Sequence, residues 1–360
     1  MERCVLIIPA LQPRRDFADF VDELLQLHIG PVVVVDDGSG KQYRKLFRSI
    51  NARENCFVIY HERNYGKGAA IKTGIRWSLE HFYHFKGVIT VDCDGQHLAE
   101  DVKAVYDKLV ELDEDDLVLG IRAFDSEDTP RMNLRGNRVA SRMMHMIYGI
   151  ELRDTQTGLR GFSYAQLDWL MAVGGDGYDY ELNVLIEAKK RSVNFNLVDV
   201  ATVYFRRNAD SHYRPFTDSL RIAVIMAKGL VKYFASSLMS TGVDLLLFTL
   251  LTKFFFSHMV LPIRILLATI IARIFSSMVN YSINKRMVFS SDATWESMSR
   301  YYAVWGCQVC VSMMLVMVLT HASGIDEVFV KMAVDACLAL ISYQVQLRWV
   351  FKDPNHEIRS

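Results

Sequence analysis

The stretch Asp92-Cys93-Asp94-Gly95-Gln96 offers chemistry more plainly than any other in the chain. Two carboxylates one residue apart follow a short apolar run, and an amide comes two residues later. Oxygen ligands in such a cluster suit Mg2+ or Mn2+. An ion held by Asp92, Asp94 and Gln96 would bridge a diphosphate and offset charge on a leaving group. A second segment, Asp36-Asp37-Gly38-Ser39-Gly40, follows another apolar run. Asp37 could accept hydrogen bonds from a base or a ribose, or serve only in an Asp-Gly turn. A third, Asn64-Tyr65-Gly66-Lys67-Gly68, opens a helix-forming stretch. Glycines let backbone approach phosphate, and a helix N-terminus favours anions. The full Walker pattern is missing. Gly68, Ala69, Ala70 and Gly74 read instead as small residues for close helix–sheet packing, and Lys67 fits either use.

All three segments follow short apolar runs that read as strands. Strands are expected over 4–9, 31–35, 57–61, 87–91 and 117–119. Helices are expected over 17–27, 42–51, 68–81 and 99–112. Alternation of continuous apolar strands with helices predicts a mostly parallel, doubly covered sheet. Such sheets bind ligands at the carboxyl ends of their strands, which is where the polar segments fall. A further helix over 132–148 carries Arg135, Arg138 and Arg142 behind Arg131. These arginines form either an acceptor-phosphate face or a solvated helix face.

The chain has 360 residues, long enough for about two domains. Its 41 basic and 41 acidic side chains balance, which excludes binding to nucleic acid by bulk positive charge. The 51% hydrophobic content argues against a disordered polymer. A mean hydropathy of +0.11 is high for a soluble enzyme with 23% charged residues, and it averages two unlike halves. Between Tyr233 and Ser282 the only charges are Asp244, Lys253, Arg264 and Arg273. Between Tyr301 and Leu347 they are Asp326, Glu327, Lys331 and Asp335. Four spans are expected, over 234–255, 263–283, 302–321 and 328–349, each near the ~20 residues needed to cross a bilayer. Lys228, Lys232, Lys285, Arg286, Arg300, Arg348 and Lys352 fall on one side, so both termini are expected in the cytoplasm. The first apolar run is too short for a signal peptide, which puts the first domain there too. Residues 214–232 read as a basic, amphipathic interfacial helix. The six cysteines form no secreted framework, and Cys307 and Cys310 read as packing within a membrane bundle. Asp244, Arg273 and Asp335 within the spans should pair or line a polar path. Asn280–Phe289 aligns with Ser342–Phe351, both ending in Arg-x-Val-Phe, which suggests two helix-pair repeats in parallel orientation.

Over residues 1 to about 215 the chain resembles the family-two, GT-A glycosyltransferases. More narrowly it looks like the polyprenol-phosphate glycosyltransferases, the group containing dolichyl-phosphate mannose synthase. Ile7-Ile8-Pro9-Ala10 matches that family's opening strand. Val34-Val35-Asp36-Asp37-Gly38-Ser39 matches its nucleotide-binding strand end, and Asp92–Gln96 its metal motif. Gly120-Ile121-Arg122 matches a Gly-x-Arg segment. Asp154-Thr155-Gln156-Thr157-Gly158-Leu159-Arg160 matches an Asp-x-x-x-Gly-Phe/Leu-Arg/Lys segment. Arg206 with Ser211-His212 falls where members carry an Arg and a Ser-Lys pair. The chain departs at Pro9-Ala10-Leu11-Gln12-Pro13, where the family often reads Pro-x-Tyr-Asn-Glu. His212 also replaces a lysine, so a phosphate contact there would follow pH near neutrality. Residues 230 to about 352 resemble the GtrA-like four-helix modules and their repeated Asn-x-x-x-Asn-Arg-Arg-Trp-Val-Phe ending.

The resemblance implies a Rossmann-like GT-A catalytic domain with a mostly parallel sheet over 1–213. An all-α transmembrane domain of four helices follows over 233–352, then a cytosolic tail over 353–360. It implies inverting transfer of a hexose from a UDP- or GDP-linked nucleotide-sugar to a polyprenyl phosphate, undecaprenyl or dolichyl, with Mg2+ or Mn2+ as cofactor. Pro9, Asp37, Lys67, Asp92, Asp94, Arg122, Arg206 and His212 would bind the donor. Arg131, Arg135 and Arg138 would meet the acceptor phosphate. Arg122 and Asp154 are the catalytic candidates. A phosphate monoester has its second pKa near about 6, so the acceptor needs little help from a base, and Asp154 would instead orient acceptor or sugar. Two other readings stand: a different lipid or glycan acceptor, and flipping of a lipid-linked sugar by the membrane half. Oligomeric state is open, a homo-oligomer included.

Overall fold

The computed structural model describes residues 3–112, 116–122, 131–201, 215–289, 295–325, 327–351 and 358–359. They fall into two units. The first gathers described residues within Met1–His145, Ile150–Ile225 and Asn355–Ser360, and the second those within Met146–Gly149 and Met226–Pro354.

Among the described residues the first unit is built on one sheet of eight strands. They are β1 (Cys4–Ala10), β2 (Val32–Asp36), β3 (Cys56–Tyr60), β4 (Gly87–Thr90), β5 (Asp116–Arg122), β6 (Arg160–Ser163), β7 (Asn194–Val200) and β8 (Ile358–Arg359). Their order is β3-β2-β1-β4-β6-β5-β7-β8. Every pairing is parallel except the two that β6 makes with β4 and β5. The expected mostly parallel α/β sheet is therefore present.

Both faces are covered, which is why β1 is apolar without alternation. Cys4, Leu6, Ile8 and Ala10 join a core with α1 (Phe17–Gln26), α2 (Arg44–Asn51) and α4 (Ala99–Glu111). On the opposite face Ile7 meets α3 (Lys67–His81). There a Cβ on Gly74 would come within 2.6 Å of the Ile7 side chain. Pairing of β1 with β4 stops at Ile7↔Thr90. Pro9, two residues on and on the same edge, has no N–H to continue the ladder.

One antiparallel strand decides where the polar segments meet. Because β6 runs against its neighbours, its first residue, Arg160, lies opposite Thr90 of β4 and Leu119 of β5. The loop before it, 154–159, therefore arrives at the carboxyl ends of β4 and β5. Residues 92–96 and Arg122 lie at that same edge. Between β5 and β7 come α5 (Arg131–Tyr148), α6 (Leu167–Ala172) and α7 (Asp179–Lys190).

The second unit holds α8 (Pro215–Leu250), α9 (Leu261–Ile283), α10 (Trp295–Ser323) and α11 (Glu327–Val345). Among the described residues three stretches are long and apolar enough to cross a membrane: Ala227–Phe255, Ile263–Val288 and Trp295–Ser323. The fourth expected span corresponds to α11, which is not among those three. Helix α8 runs unbroken through the expected interfacial segment. Asp244 and Arg273 stand 3.7 Å apart, and Ser276 donates to Asp244 at 3.1 Å. Asp335 accepts from Ser312 at 2.7 Å. Cys307, Cys310 and Cys337 are exposed free thiols rather than packed ones.

The repeat is visible as symmetry. Helices α9 and α11 each end in a π-helical turn, Asn284–Val288 and Gln346–Val350. Asn284 and Gln346, 62 positions apart, hydrogen-bond to each other at 3.1 Å, and both are buried. Phe289 and Phe351, at the same offset, stack with centroids 4.9 Å apart.

Candidate active site

Asp37 is buried at the end of β2 with its carboxylate filled by its own chain. Its Oδ1 meets His61 Nδ1 at 2.7 Å and accepts from the Tyr65 N–H at 2.9 Å, while its Oδ2 accepts from the Gly66 N–H at 2.8 Å. His61 also reaches Thr73 Oγ1 at 3.0 Å. Asp37 thus organises the loop that delivers the start of α3. Gly66 closes that loop with φ 108°, a left-handed conformation open to glycine, and a Cβ there would strike the Asp176 carbonyl at 2.3 Å.

The next residue, Lys67, is not left open to a phosphate. Its ammonium lies 2.7 Å from Asp92 Oδ1 and 2.9 Å from Glu181 Oε1. Burial opposes charge on Lys67, but the attraction of Asp92 and Glu181 outweighs it and holds the amine protonated well above the usual lysine range. Burial likewise opposes charge on Asp92. Lys67 and then His97 outweigh that, so its carboxyl sits far below the usual carboxylate range. His97 is buried with Nε2 3.7 Å from Asp92 Oδ2. The other side of Asp92 is closed by backbone: a Cβ on Gly158 would come within 2.2 Å of Oδ2.

Asp94 differs. It is exposed at the lip of the site, and its Oδ1 accepts only from the Gln96 N–H at 3.1 Å among the hydrogen bonds described. Desolvation by the surrounding protein, then repulsion from Asp92, raises its pKa. Gln96 Oε1 lies 3.5 Å from the Arg122 guanidinium.

Arg122 ends β5 and is gripped by Asp154 at two points, 2.6 Å and 3.0 Å. Asp154 is fully buried and also accepts from the Gln156 N–H at 3.0 Å. The preceding residue is pinned by α5: Asn137 and Ser141 donate to the Arg153 carbonyl at 3.0 Å and 3.3 Å. Arg160, also fully buried, braces the same loop from the other end. It donates to the carbonyls of Thr157 at 2.9 Å and Glu181 at 2.7 Å. Burial lowers its pKa.

The structure therefore brings Lys67, Asp92, Asp94, Gln96, Arg122 and Asp154 to one edge of the sheet, with Asp37 behind the loop that leads to Lys67. Pro9 lies buried at the end of β1. Arg138 is exposed on α5, whereas the side chains of Arg131 and Arg135 lie outside the described residues. Arg206 and His212 also lie outside them. Sequence reasoning missed Glu181 and His97. His97 directly follows the Asp92–Gln96 motif and could have been found there. Glu181 is about ninety positions away and carries no local signal.

Residues 7–168 match the family described as Glycosyl transferase family 2, and residues 223–351 match the GtrA/DPMS, transmembrane domain. An uncharacterized protein of Methanocaldococcus jannaschii is 30% identical over 203 residues, covering 55% of this chain and 81% of that protein. The UDP-N-acetylglucosamine–dolichyl-phosphate N-acetylglucosaminyltransferase of Methanococcus voltae is 28% identical, covering 55% of this chain and 85% of its own. The dolichyl-phosphate hexose transferase of Haloferax volcanii is 26% identical, with 54% and 79% covered. With a strand-end carboxylate motif in a mostly parallel α/β sheet and a GtrA/DPMS-type membrane domain, the chain belongs to glycosyl transferase family 2 and is a membrane glycosyltransferase.

Proposed function

We propose that this enzyme moves a hexose, with inversion, from a UDP- or GDP-linked sugar to a polyprenyl phosphate. The observation that carries this reading is the juxtaposition at one strand-end edge of an open carboxylate, Asp94, and a clamped guanidinium, Arg122. An oxygen-donor set beside a fixed cation suits a substrate pair that is phosphate on both sides. The names of the Methanococcus and Haloferax relatives, both dolichyl-phosphate sugar transferases, support the acceptor class.

The residues fit a divalent cation. Asp94 and Gln96 offer hard oxygens of the kind Mg2+ and Mn2+ prefer. Among the described residues no cluster of three or more His, Cys, Asp or Glu side chains forms a closed metal cage. The donor's diphosphate would therefore supply ligands. Among the described ion pairs Asp92 and Glu181 share Lys67 and Asp154 holds Arg122, while Asp94 has no cation against it and is the carboxylate left to meet an ion. When bound, the ion would neutralise the leaving diphosphate.

The protein's own part is positioning. Arg122, locked by Asp154, points a rigid fork of donors at phosphate charge. A lipid phosphate is mostly dianionic at neutral pH, with a second pKa near about 6, so it attacks without surrendering a proton. Asp154, buried and fully engaged, serves as orienter rather than base. The membrane half would hold the lipid, with α11 as a fourth span and both termini on the cytoplasmic side, where nucleotide-sugars are available.

The test is transfer by purified full-length protein in detergent, with polyprenyl phosphate, Mg2+ or Mn2+, and a panel of UDP- and GDP-sugars. A lipid-phosphate sugar made by the wild type should be lost in Asp94→Ala. That loss should exceed the roughly 10–100-fold typical of removing a residue that only orients a ligand. No product from any donor would reject the acceptor class and favour another acceptor or a flipping role. Product undiminished in Asp94→Ala would reject the metal site.

A further inference from the structure

Two carboxylates sit one residue apart after β4, yet their surroundings are opposite. Asp92 has Lys67 at 2.7 Å on Oδ1, His97 at 3.7 Å from Oδ2, and the Gly158 backbone packed against it. Asp94 is exposed, with one backbone N–H described on it. Lys67 in turn is held from behind by Glu181 at 2.9 Å, on a helix far away in sequence. The three side chains form a row that deepens from half-buried to buried, with exposures of 22% for Asp92, 14% for Lys67 and 7% for Glu181.

The backbone is shaped to permit this row. Helix α3 begins at Lys67, and its first turn presses on the segment that leads into α7. The Ala69 N–H donates to the Asp176 carbonyl at 3.0 Å. A Cβ on Gly68 would come within 2.5 Å of the Tyr180 side chain. One helix start thus lies against the other, with Lys67 between the strand-end carboxylate and Glu181.

Resting on the proposed metal site, we propose that Glu181 is a positioning residue that works through Lys67. It fixes the ammonium against Asp92, so that Asp92 is a locked carboxylate and Asp94 is the one presented to the cation. Two consequences follow from the electrostatics. Without the Glu181 charge, the Lys67 cation is less neutralised and repels an incoming divalent ion. Lys67 is also freed to swing, and Asp92 loses its fixed position beside Gly158. Both effects weaken cation binding, and both require Lys67 to be present. Residues that orient metal ligands typically affect affinity by roughly 10–100-fold.

The experiment titrates Mn2+ into full-length protein in detergent and reads free Mn2+ by its electron paramagnetic resonance signal, with no substrate present. Glu181→Gln should raise the Mn2+ Kd by about 10-fold, and Glu181→Asp, which keeps the charge but shortens the reach to Lys67, should raise it by about 3-fold. In a Lys67→Met background, Glu181→Gln should add nothing. Unchanged affinity in a folded Glu181→Gln protein would overturn the proposal, as would an equal loss with and without Lys67. If Glu181→Gln does not fold, Glu181→Asp alone decides: a smaller weakening supports the proposal and wild-type affinity rejects it. Asp94→Asn separates the two readings. If it abolishes Mn2+ binding while Glu181→Gln leaves binding intact, only the role of Glu181 falls. If Asp94→Asn binds Mn2+ like the wild type, the metal reading fails and this proposal falls with it.

Discussion

Asp154 places a carboxyl group with none of its surface in water, which is tolerable only because Arg122 meets it at two points. Breaking such a pair strands a buried charge and costs more than the pair itself contributes. Asp154→Asn, nearly isosteric, should destabilise the protein by about 3 kcal/mol in denaturant titration, the lower end for a pair with one member reaching solvent. Its residual transfer should keep the wild-type pH dependence, and recovery of rate at high pH would instead mark Asp154 as a base. A second prediction concerns thiols. Burial pushes Cys56 and Cys93 up to about 12 from 9.0. A raised thiol pKa contributes stability that is present below pH 9 and lost as pH rises towards 12, because only the unfolded chain ionises in that window. At pH 8 both thiols should resist alkylation in the native protein and react on unfolding, read site by site by mass spectrometry. Of the site itself, the Asp92–Gln96 motif was legible because its residues are adjacent. The partner of Lys67 was not, because Glu181 belongs to an element that only folding brings near.

At the scale of elements, the first five strands and the helices between them could be read to within a few residues from apolar runs and helical periodicity. Strand β6 was not read. It has four residues and follows a polar loop, and nothing local says that it runs antiparallel. Yet that direction carries Asp154 and Gly158 to the ends of β4 and β5. In the membrane unit the repeat was legible as a 62-residue offset, but the contact between its equivalent positions was not. Asn284 and Gln346 bond to each other, and Ser236 and Tyr233 join them at 2.5 Å and 3.2 Å. A double-mutant cycle of Asn284→Leu and Gln346→Leu should give a coupling of about 0.6–2 kcal/mol in detergent unfolding, the range for interhelical hydrogen bonds in membrane proteins. Strictly additive losses would mean that the two amides act separately.

At the scale of the molecule, the large core cluster around β1 and β2 draws on residues from Cys4 to Val200 and on none from the membrane unit. A fragment of residues 1–213 should therefore fold cooperatively, by circular dichroism and thermal melting, although it lacks the two-residue strand β8. A fragment without a melting transition would mean that the membrane unit is needed for folding. What the sequence determined by itself is what periodicity and adjacency can encode. This includes a two-part chain, a parallel α/β half, an apolar half with a repeat, and a carboxylate motif at a strand end. Only the tertiary structure decided which of those carboxylates is locked and which is open, and that Arg122 is clamped by Asp154. These follow from contacts between residues tens of positions apart. Such contacts depend on strand order and direction, which no local stretch of sequence records.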